Sequence, residues 1–132
     1  MVKALRKAMG QTLRFAFRNF PLSAIHPSAL VAAEAAESAA RQGKFWEMHD
    51  LLFEHQDLLG PDAIVAGAKS LKLDMKAFRA AIEDGAALAK VREDRASGIR
   101  SGVNGTPTFF INGYRYNGVP EYGELAAYLQ SV

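Results

Sequence analysis

The spacing of apolar residues predicts a short helix and then a strand at the start of the chain. Apolar side chains recur at helical spacing across Val2–Met9, with lysine and arginine on the other side, and Gly10 is a suitable C-terminal cap. Apolar and polar residues then alternate across residues 13–18, a period of two that predicts a β-strand. Pro21 would end this strand, because proline cannot donate a ladder hydrogen bond.

The middle of the chain is predicted to be helical. Apolar residues recur at helical spacing in several segments, and proline and glycine mark their ends. Pro27 suits the first turn of the first helix, and Asp74 is a suitable N-cap for a later one. The predicted helices are residues 26–42, 45–53, 61–71, 74–85 and 86–98.

The end of the chain is predicted to form a hairpin followed by a helix. Residues 108–111 favour a strand, Asn112-Gly113 is the strongest two-residue signal for a hairpin turn, and residues 114–116 form the return strand. No repeat, low-complexity tract or linker interrupts the 132 residues. The sequence therefore predicts one domain, residues 1–132, of a size that can bury its own core.

The composition is that of an ordinary folded protein. Hydrophobic residues make up 49% and charged residues 23% of the chain, which excludes the disordered class. A net charge of +2 gives no reason to expect nucleic acid, and no apolar run is long enough to cross a bilayer. We therefore expect neither a nucleic-acid nor a membrane partner. No apolar signal-peptide region follows the basic N-terminus, so the chain as written is read as cytoplasmic, while the compartment of the protein stays unknown.

The residue types that carry metal, phosphate or thiol chemistry are absent or badly spaced. The chain has no cysteine, so these residues form no disulfide and supply no thiolate. Its histidines, His26, His49 and His55, lack metal-ligand spacing, and a solvated or locally hydrogen-bonded role is favoured for His49 over a metal. Gly102 and Gly105 precede no Gly-Lys-Ser/Thr, which argues against a phosphate loop. No cofactor and no metal is predicted.

Three further features favour structural roles. Trp46, within an aromatic helix, is predicted to pack in the core. Arg14 and Arg18 lie on one face of the predicted strand, where they either bind an anion or, as we favour, form a solvated or helix-covered face. Lys90 and Asp94 are predicted to pair at i,i+4 on a solvated helical face.

A glycine-bracketed Thr-Pro that runs into a short strand is the most specific motif of the chain. It resembles the proline loop of thioredoxin-fold oxidoreductases, and together with other stretches the chain is similar to the DsbA-like thioredoxin family, including bacterial forms, some of them fused to sodium/proton antiporters. The resemblance covers nearly the whole chain. The stretches that carry it are Arg14-Phe15-Ala16-Phe17-Arg18-Asn19-Phe20-Pro21-Leu22, His26-Pro27, Ala32-Ala33-Glu34-Ala35-Ala36, Gln42-Gly43-Lys44-Phe45-Trp46-Glu47-Met48-His49-Asp50 and residues 102–113.

The resemblance implies an α/β, thioredoxin-like fold with a helical insertion, N-terminally truncated so that the first core strand is absent. Family members begin with a strand and a Cys-x-x-Cys loop at a helix N-terminus, where the helix dipole activates the thiol. Val2-Lys3-Ala4-Leu5 matches the later turns of that helix, so the strand and both cysteines would precede Met1. The family is a protein-disulfide oxidoreductase family, often exported. This polypeptide is expected to be redox-inactive, because exchange needs an attacking thiolate.

The same resemblance implies a substrate-binding loop at Gly105, Thr106 and Pro107, and no catalytic residue. A cis Thr106–Pro107 bond is favoured, with a trans turn as the alternative. The alternative function is a non-catalytic module that uses the proline loop or exposed strands to hold an extended peptide or protein segment, or its own copy. Because the absent strand would lie between residues 13–18 and 108–111, these strands are expected to pair with each other, or with a second copy in a strand-exchanged homodimer.

Overall fold

The computed structural model describes residues 1–56 and 60–132, and within these residues the fold is mostly helical with one small sheet. A single 3-10 turn, Gly10–Thr12, follows the first helix. The helices are α1 (Val2–Met9), α2 (Ala29–Ala40), α3 (Phe45–Glu54), α4 (Pro61–Ser70), α5 (Met75–Glu83), α6 (Ala86–Arg100) and α7 (Tyr122–Ser131). The strands are β1 (Phe110–Ile111) and β2 (Tyr114–Arg115), and they pair antiparallel.

The chain divides into two compact units. The helical unit is residues 18–102, and the hairpin unit combines residues 1–17 with residues 103–132. The helical unit thus occurs in sequence as an insertion between the two parts of the hairpin unit. This arrangement agrees with the predicted helical insertion, while the prediction that residues 1–132 form one domain stays a prediction.

The helical unit has its core where α2 packs against α3, α5 and α6. Alanines supply the contact surface of α2, and small side chains let neighbouring helices approach closely. Ala35 and Ala39 are fully buried, as are Met48 of α3 and Phe78 of α5. Caps also define the ends of these helices: the side chain of Asp74 accepts a hydrogen bond from the Ala77 N–H at 3.0 Å, as the sequence predicted.

The hairpin unit has a smaller core, in which α1 packs against α7. Leu5 and Leu125 are its buried apolar side chains, 5% and 2% exposed. Asn112 and Gly113 both have positive φ, 51° and 86°, which is the pattern of a type I′ turn. The sequence prediction of a two-residue hairpin is therefore confirmed.

The predicted strand at residues 13–18 is wrong for the described part of the chain, because this segment carries no strand assignment. Its side chains do alternate between partly buried and exposed, with Leu13, Phe15 and Phe17 on the partly buried side. The period of two was therefore read correctly, but a strand also needs a hydrogen-bonded neighbour, and in residues 1–56 and 60–132 the sheet contains β1 and β2 only. The expected pairing of this segment with β1 is likewise wrong; the strand-exchanged homodimer is not tested by a single chain.

The predicted start of the first long helix is also wrong. Helix α2 begins at Ala29 after Ser28, and Pro27 lies outside it in a turn. The N–H groups of Ile25 and His26 both donate to the Leu22 carbonyl, at 3.0 and 2.8 Å, which forms a separate turn ahead of the helix. Proline is compatible with such a turn as well as with a first helical position, so the residue alone did not decide between them.

Candidate functional site

The proline loop leads directly into the hairpin. Thr106 and Pro107 are exposed, and Gly105 is half-buried. The Thr106–Pro107 peptide bond is cis. The hydroxyl of Thr108 donates to the Gly105 carbonyl at 2.7 Å, so the side chain that follows the proline closes the loop onto its first residue. The predicted substrate-binding residues therefore lie together on one short surface loop, although no bound molecule tests that role.

The two edges of the hairpin differ in what they offer a partner. The Tyr116 N–H donates to the Phe109 carbonyl at 2.8 Å, and Phe110 is opposite Arg115. Because hydrogen-bonded and non-hydrogen-bonded pairs alternate in an antiparallel ladder, the backbone N–H and C=O of Phe110 point away from β2. Within the described residues no further strand lies on that side of β1. We call this side the outer edge of β1; it begins at Phe110, three residues after Pro107.

Two clefts lie in the hairpin unit. The smaller, of about 250 Å³, is bordered by Pro107 and Thr108 and by the segment from Arg115 to Gly118. The larger, of about 630 Å³, lies between Tyr116 and α7. Tyr116 and Tyr128 line it, and their rings meet edge to face with centroids 5.1 Å apart. The Tyr116 hydroxyl donates to the Val119 carbonyl at 3.2 Å.

Gly118 allows that tyrosine to fold back. A Cβ on Gly118 would overlap the Tyr116 hydroxyl, so only glycine leaves room for the ring. The sequence contained no signal for this contact, because Gly118-Val119-Pro120 has the composition of any loop.

The helical unit contains a buried polar cluster that sequence reasoning missed. Asp94 of α6 was predicted to face solvent, but it is 1% exposed. Its carboxylate accepts hydrogen bonds from the Asn19 backbone at 3.0 Å, from the Asn19 amide at 2.8 Å and from Lys90. The Asn19 amide also donates to Glu37 of α2 at 2.7 Å. The predicted Lys90–Asp94 pair is thus confirmed, and the predicted solvated face is wrong because Asn19 covers it.

Electrostatics within this cluster favour the charged carboxylate. Burial raises the pKa of Asp94, but the hydrogen bonds from Asn19 and Lys90 outweigh it, so that its pKa lies below the usual 3.8. The cluster joins the segment after residue 17 to two helices of the same unit. It is a structural contact, since none of its buried side-chain donors and acceptors is left without a hydrogen-bond partner.

His49 and Trp46 both make contacts within the aromatic helix α3. His49 lies at 4.6 Å from the Phe53 ring and 5.2 Å from the Trp46 ring, and its Nδ1 is 3.1 Å from Asp50. The predicted local hydrogen bond is therefore present. Trp46 is only partly buried, so the predicted core role holds less well for it than for Met48.

Arg18 contacts the Ser97 hydroxyl of α6 at 3.4 Å, in line with the helix-covered alternative, while Arg14 is exposed. Among residues 1–56 and 60–132 no group of three or more acidic or histidine side chains is arranged to hold a metal ion.

The family assignment follows from the whole chain. A family model described as thioredoxin matches residues 2–131, and the chain therefore belongs to this thioredoxin family. The thioredoxin-like α/β fold with a helical insertion, which the proline loop and hairpin suggested, is confirmed by that match. No solved structure is significantly similar to the chain.

The chain is similar to curated proteins that are named as Na⁺/H⁺ antiporters. It is 44% identical over 121 residues to the Na⁺/H⁺ antiporter NhaA 3 of Salinispora tropica, which covers 92% of this chain and 19% of that protein. It is 36% identical over 127 residues to the antiporter NhaA of Herminiimonas arsenicoxydans, covering 96% of this chain and 20% of that protein. The chain thus spans about a fifth of the length of the curated relatives that it matches.

These relatives overturn one expectation from composition. The sequence was expected to have no membrane partner, but its relatives are named as Na⁺/H⁺ antiporters. Net charge and the absence of a long apolar run describe only the residues present, and they say nothing about the protein to which a domain is joined. In the described ranges, no helix has the length and apolarity that crossing a membrane requires.

Proposed function

We propose that this thioredoxin-family domain binds extended peptide segments at the outer edge of β1, beside the proline loop, and that residues 1–132 perform no thiol–disulfide exchange themselves. One observation carries the proposal: exposed Thr106 and Pro107 are followed, after Thr108 and Phe109, by a strand whose outer edge faces no other strand in the described residues. An edge of this kind is a template for strand addition.

The groups that strand addition requires are present at this edge. The Phe110 N–H and C=O supply a donor and an acceptor on the side away from β2, and main-chain hydrogen bonds provide much of the affinity in this mode of binding. The Phe110 side chain is 45% exposed, so it also offers an apolar contact to a side chain of the added strand. Neither contribution depends on a thiol.

The absence of thiol chemistry is proposed from composition. Disulfide exchange begins with the attack of a thiolate on a disulfide sulfur, and none of the 132 residues is cysteine. In an insulin-reduction assay with dithiothreitol, this polypeptide is expected to give the rate of dithiothreitol alone. Turnover above that rate would contradict the proposal.

We also propose that the domain works in association with a Na⁺/H⁺ antiporter. The support is that its relatives are named as Na⁺/H⁺ antiporters, in each of which the matching region is about a fifth of the protein. The test is affinity capture of the tagged domain from cross-linked native cells, followed by mass spectrometry. Enrichment of an antiporter over an unrelated tagged protein supports the association, and equal recovery in both samples contradicts it.

The peptide-binding proposal is tested by deleting one backbone donor on either side of the hairpin. Phe110→Pro removes the N–H on the outer edge of β1, and Arg115→Pro removes the N–H that points away from β1 on the far side. The probe is the alkylated B chain of insulin, an extended peptide without a free thiol, and its binding is followed by fluorescence polarisation.

We expect the two variants to differ. Phe110→Pro should weaken binding at least about tenfold, since it loses a main-chain hydrogen bond and places a ring at the contact, whereas Arg115→Pro should bind like the parent. Circular dichroism establishes that both remain folded. Equal binding by Phe110→Pro and the parent would show that the peptide does not use this edge.

A further inference from the structure

Asparagine precedes glycine three times around the proline loop and the hairpin. Three of the four asparagines of the chain, Asn104, Asn112 and Asn117, are followed by glycine, and all three lie within residues 104–118. Each of the three is exposed. The fourth, Asn19, is buried and precedes phenylalanine. The same reactive dipeptide therefore occurs in three different structural settings within one short segment.

An Asn-Gly pair can deamidate without an enzyme. After it loses its proton, the glycine backbone nitrogen attacks the asparagine Cγ; the N–Cγ bond forms, the Cγ–Nδ2 bond breaks and ammonia leaves. Water then opens the cyclic imide at either carbonyl, which gives aspartate or isoaspartate. Water is the only co-reactant, and nothing is oxidised or reduced. Glycine favours the attack because it has no Cβ to hinder its nitrogen, and asparagine is a thermolabile residue for this reason.

The hairpin turn holds Asn112 away from this reaction. Ring closure needs the glycine nitrogen on the side of the asparagine Cα–C bond that carries Cβ. In a type I′ turn, ψ of the first central residue is about +30°, which turns the next nitrogen almost opposite Cβ. Asn112 and Gly113 have the positive φ values of that turn, 51° and 86°, and the Ile111–Tyr114 pair closes it. Asn112 therefore reacts only when the hairpin opens.

The Tyr116 ring restrains Asn117. The ring lies against Gly118 so closely that a Cβ there would overlap it, and the Tyr116 hydroxyl donates to the Val119 carbonyl. These two contacts span the peptide bond whose nitrogen must swing toward the Asn117 side chain. Rotation of that peptide would also displace the ring from its edge-to-face contact with Tyr128. Asn117 is exposed, but its backbone is not free to close the imide ring.

Neither restraint operates at Asn104. The residue lies in neither a helix nor a strand, and its φ is not positive. A Cβ on Gly105 would meet no atom of the described residues within 4 Å, so no ring lies against this glycine as one does against Gly118. The Thr108 hydroxyl donates to the Gly105 carbonyl, which is at the other end of that residue from the attacking nitrogen. The Asn104–Gly105 peptide can therefore rotate without breaking a turn or moving a ring.

We propose that Asn104 is a site of spontaneous deamidation in the folded protein, while Asn112 and Asn117 are protected. A local opening that costs about 1.4 kcal/mol slows a reaction about tenfold, so Asn104 should deamidate at least about tenfold faster than the other two. The product carries a new carboxylate directly before Gly105, and isoaspartate also adds one backbone atom there. Deamidation thus changes both charge and backbone length at the start of the proline loop.

The test follows the three sites in the full 132-residue chain during incubation at mildly alkaline pH. Trypsin leaves Asn104 and Asn112 on residues 101–115 and Asn117 on residues 116–132. Tandem mass spectrometry assigns the mass gain of the amide-to-acid change to each asparagine, and labelling by an isoaspartyl methyltransferase measures the isoaspartate. The same incubation in urea, which removes the turn and the ring contact, should bring the three rates close together.

Two variants separate the causes. Tyr116→Ala removes the ring, so Asn117 should deamidate at least about tenfold faster than in the parent while Asn104 keeps its rate. Gly105→Ala places a methyl group beside the attacking nitrogen, so Asn104 should lose most of its reaction. The matched control Gly123→Ala follows no asparagine and should leave the Asn104 rate unchanged. Circular dichroism establishes that the variants remain folded, and the comparison of the parent with and without urea stands without them.

Any of four results would overturn the inference. In the folded parent, these are deamidation of Asn112 or Asn117 as fast as that of Asn104, or a stable Asn104 that reacts only in urea. In the variants, they are an unchanged Asn117 rate in Tyr116→Ala, or an unchanged Asn104 rate in Gly105→Ala. None of these measurements involves a peptide ligand or an antiporter, so this inference and the proposed function can fail separately.

Discussion

Replacement of Asp94 should destabilise the protein more than any other exchange of a charged residue on α6. In Asp94→Ala the Asn19 N–H loses its acceptor in a site where Asn19 is 3% exposed, and Lys90 loses its ionic partner. A hydrogen bond to a charged group contributes about 1.5–3 kcal/mol, whereas the ion pair adds no more than about 1 kcal/mol because the Lys90 side chain that remains is 52% exposed. The three contacts share one carboxylate and are not additive, so we expect a total loss of about 3–4 kcal/mol.

Two further variants grade the effect. Asp94→Asn keeps one oxygen for Asn19 but loses the charge and the second oxygen, which accepts from Lys90, so it should cost about 1–2 kcal/mol. Glu93→Ala, the adjacent position, removes an exposed pair with Arg100 at 3.1 Å and should cost less than about 0.5 kcal/mol. The free energy of unfolding is measured by urea titration at neutral pH, with helix circular dichroism as the signal.

The dependence of the unfolding free energy on pH in the acid range gives an independent check. Because the folded-state pKa of Asp94 lies below its usual value of 3.8, its contribution is present above that value and is lost as pH falls through the lower folded-state pKa. The stability difference between the parent and Asp94→Asn should therefore be constant near neutral pH and shrink below about pH 4. If the free energies of unfolding of Asp94→Ala and Glu93→Ala differ by less than about 1 kcal/mol, the buried cluster does not stabilise the protein as described above.

The remaining predictions concern glycine positions and one cap. Gly113→Ala should destabilise the protein by about 1 kcal/mol because φ is 86° there. Gly123→Ala, inside α7, should stabilise it by about 0.5 kcal/mol. Melting temperatures that shift in the same direction for both variants would contradict this. Gly118→Ala should displace the Tyr116 ring at a cost of about 1–2 kcal/mol, and unchanged contacts between the Tyr116 and Tyr128 rings in nuclear Overhauser spectra would refute it. Asp74→Ala should cost about 1 kcal/mol in urea titration through the lost cap of α5, and an unaltered midpoint would show that the cap contributes nothing.

Much of the fold followed from local sequence because its signals were local. Helices α1 and α3 begin at the predicted residues, and the hairpin turn follows from Asn112-Gly113, whose backbone preference needs no tertiary contact. By contrast, Asp94 is buried by Asn19, which lies 75 residues away, and no periodicity on α6 encodes that contact. Residues 13–18 show the same limit in another form, since alternation predicts an extended segment but cannot supply the neighbouring strand.

The candidate site was located by resemblance and not by periodicity. Thr106-Pro107 became informative only when it was compared with the proline loop of the family, and the structure then placed it beside the outer edge of β1. The membrane association of the relatives had no signal in composition at all. A domain that is joined to a transporter can have the charge and hydropathy of any globular protein, so composition could not show the link, whereas the family resemblance pointed to antiporters and the names of the relatives agree with it.

Amide hydrogen exchange at Phe110 tests the central claim, peptide binding at the outer edge of β1, most directly. The Phe110 N–H points away from β2, so on addition of the alkylated insulin B chain it should exchange more slowly, while the Arg115 N–H on the far side should exchange as before. Protection of Phe110 alone is the predicted result. Unchanged exchange at Phe110 with a saturating peptide, or equal protection of both amides, would contradict strand addition at this edge.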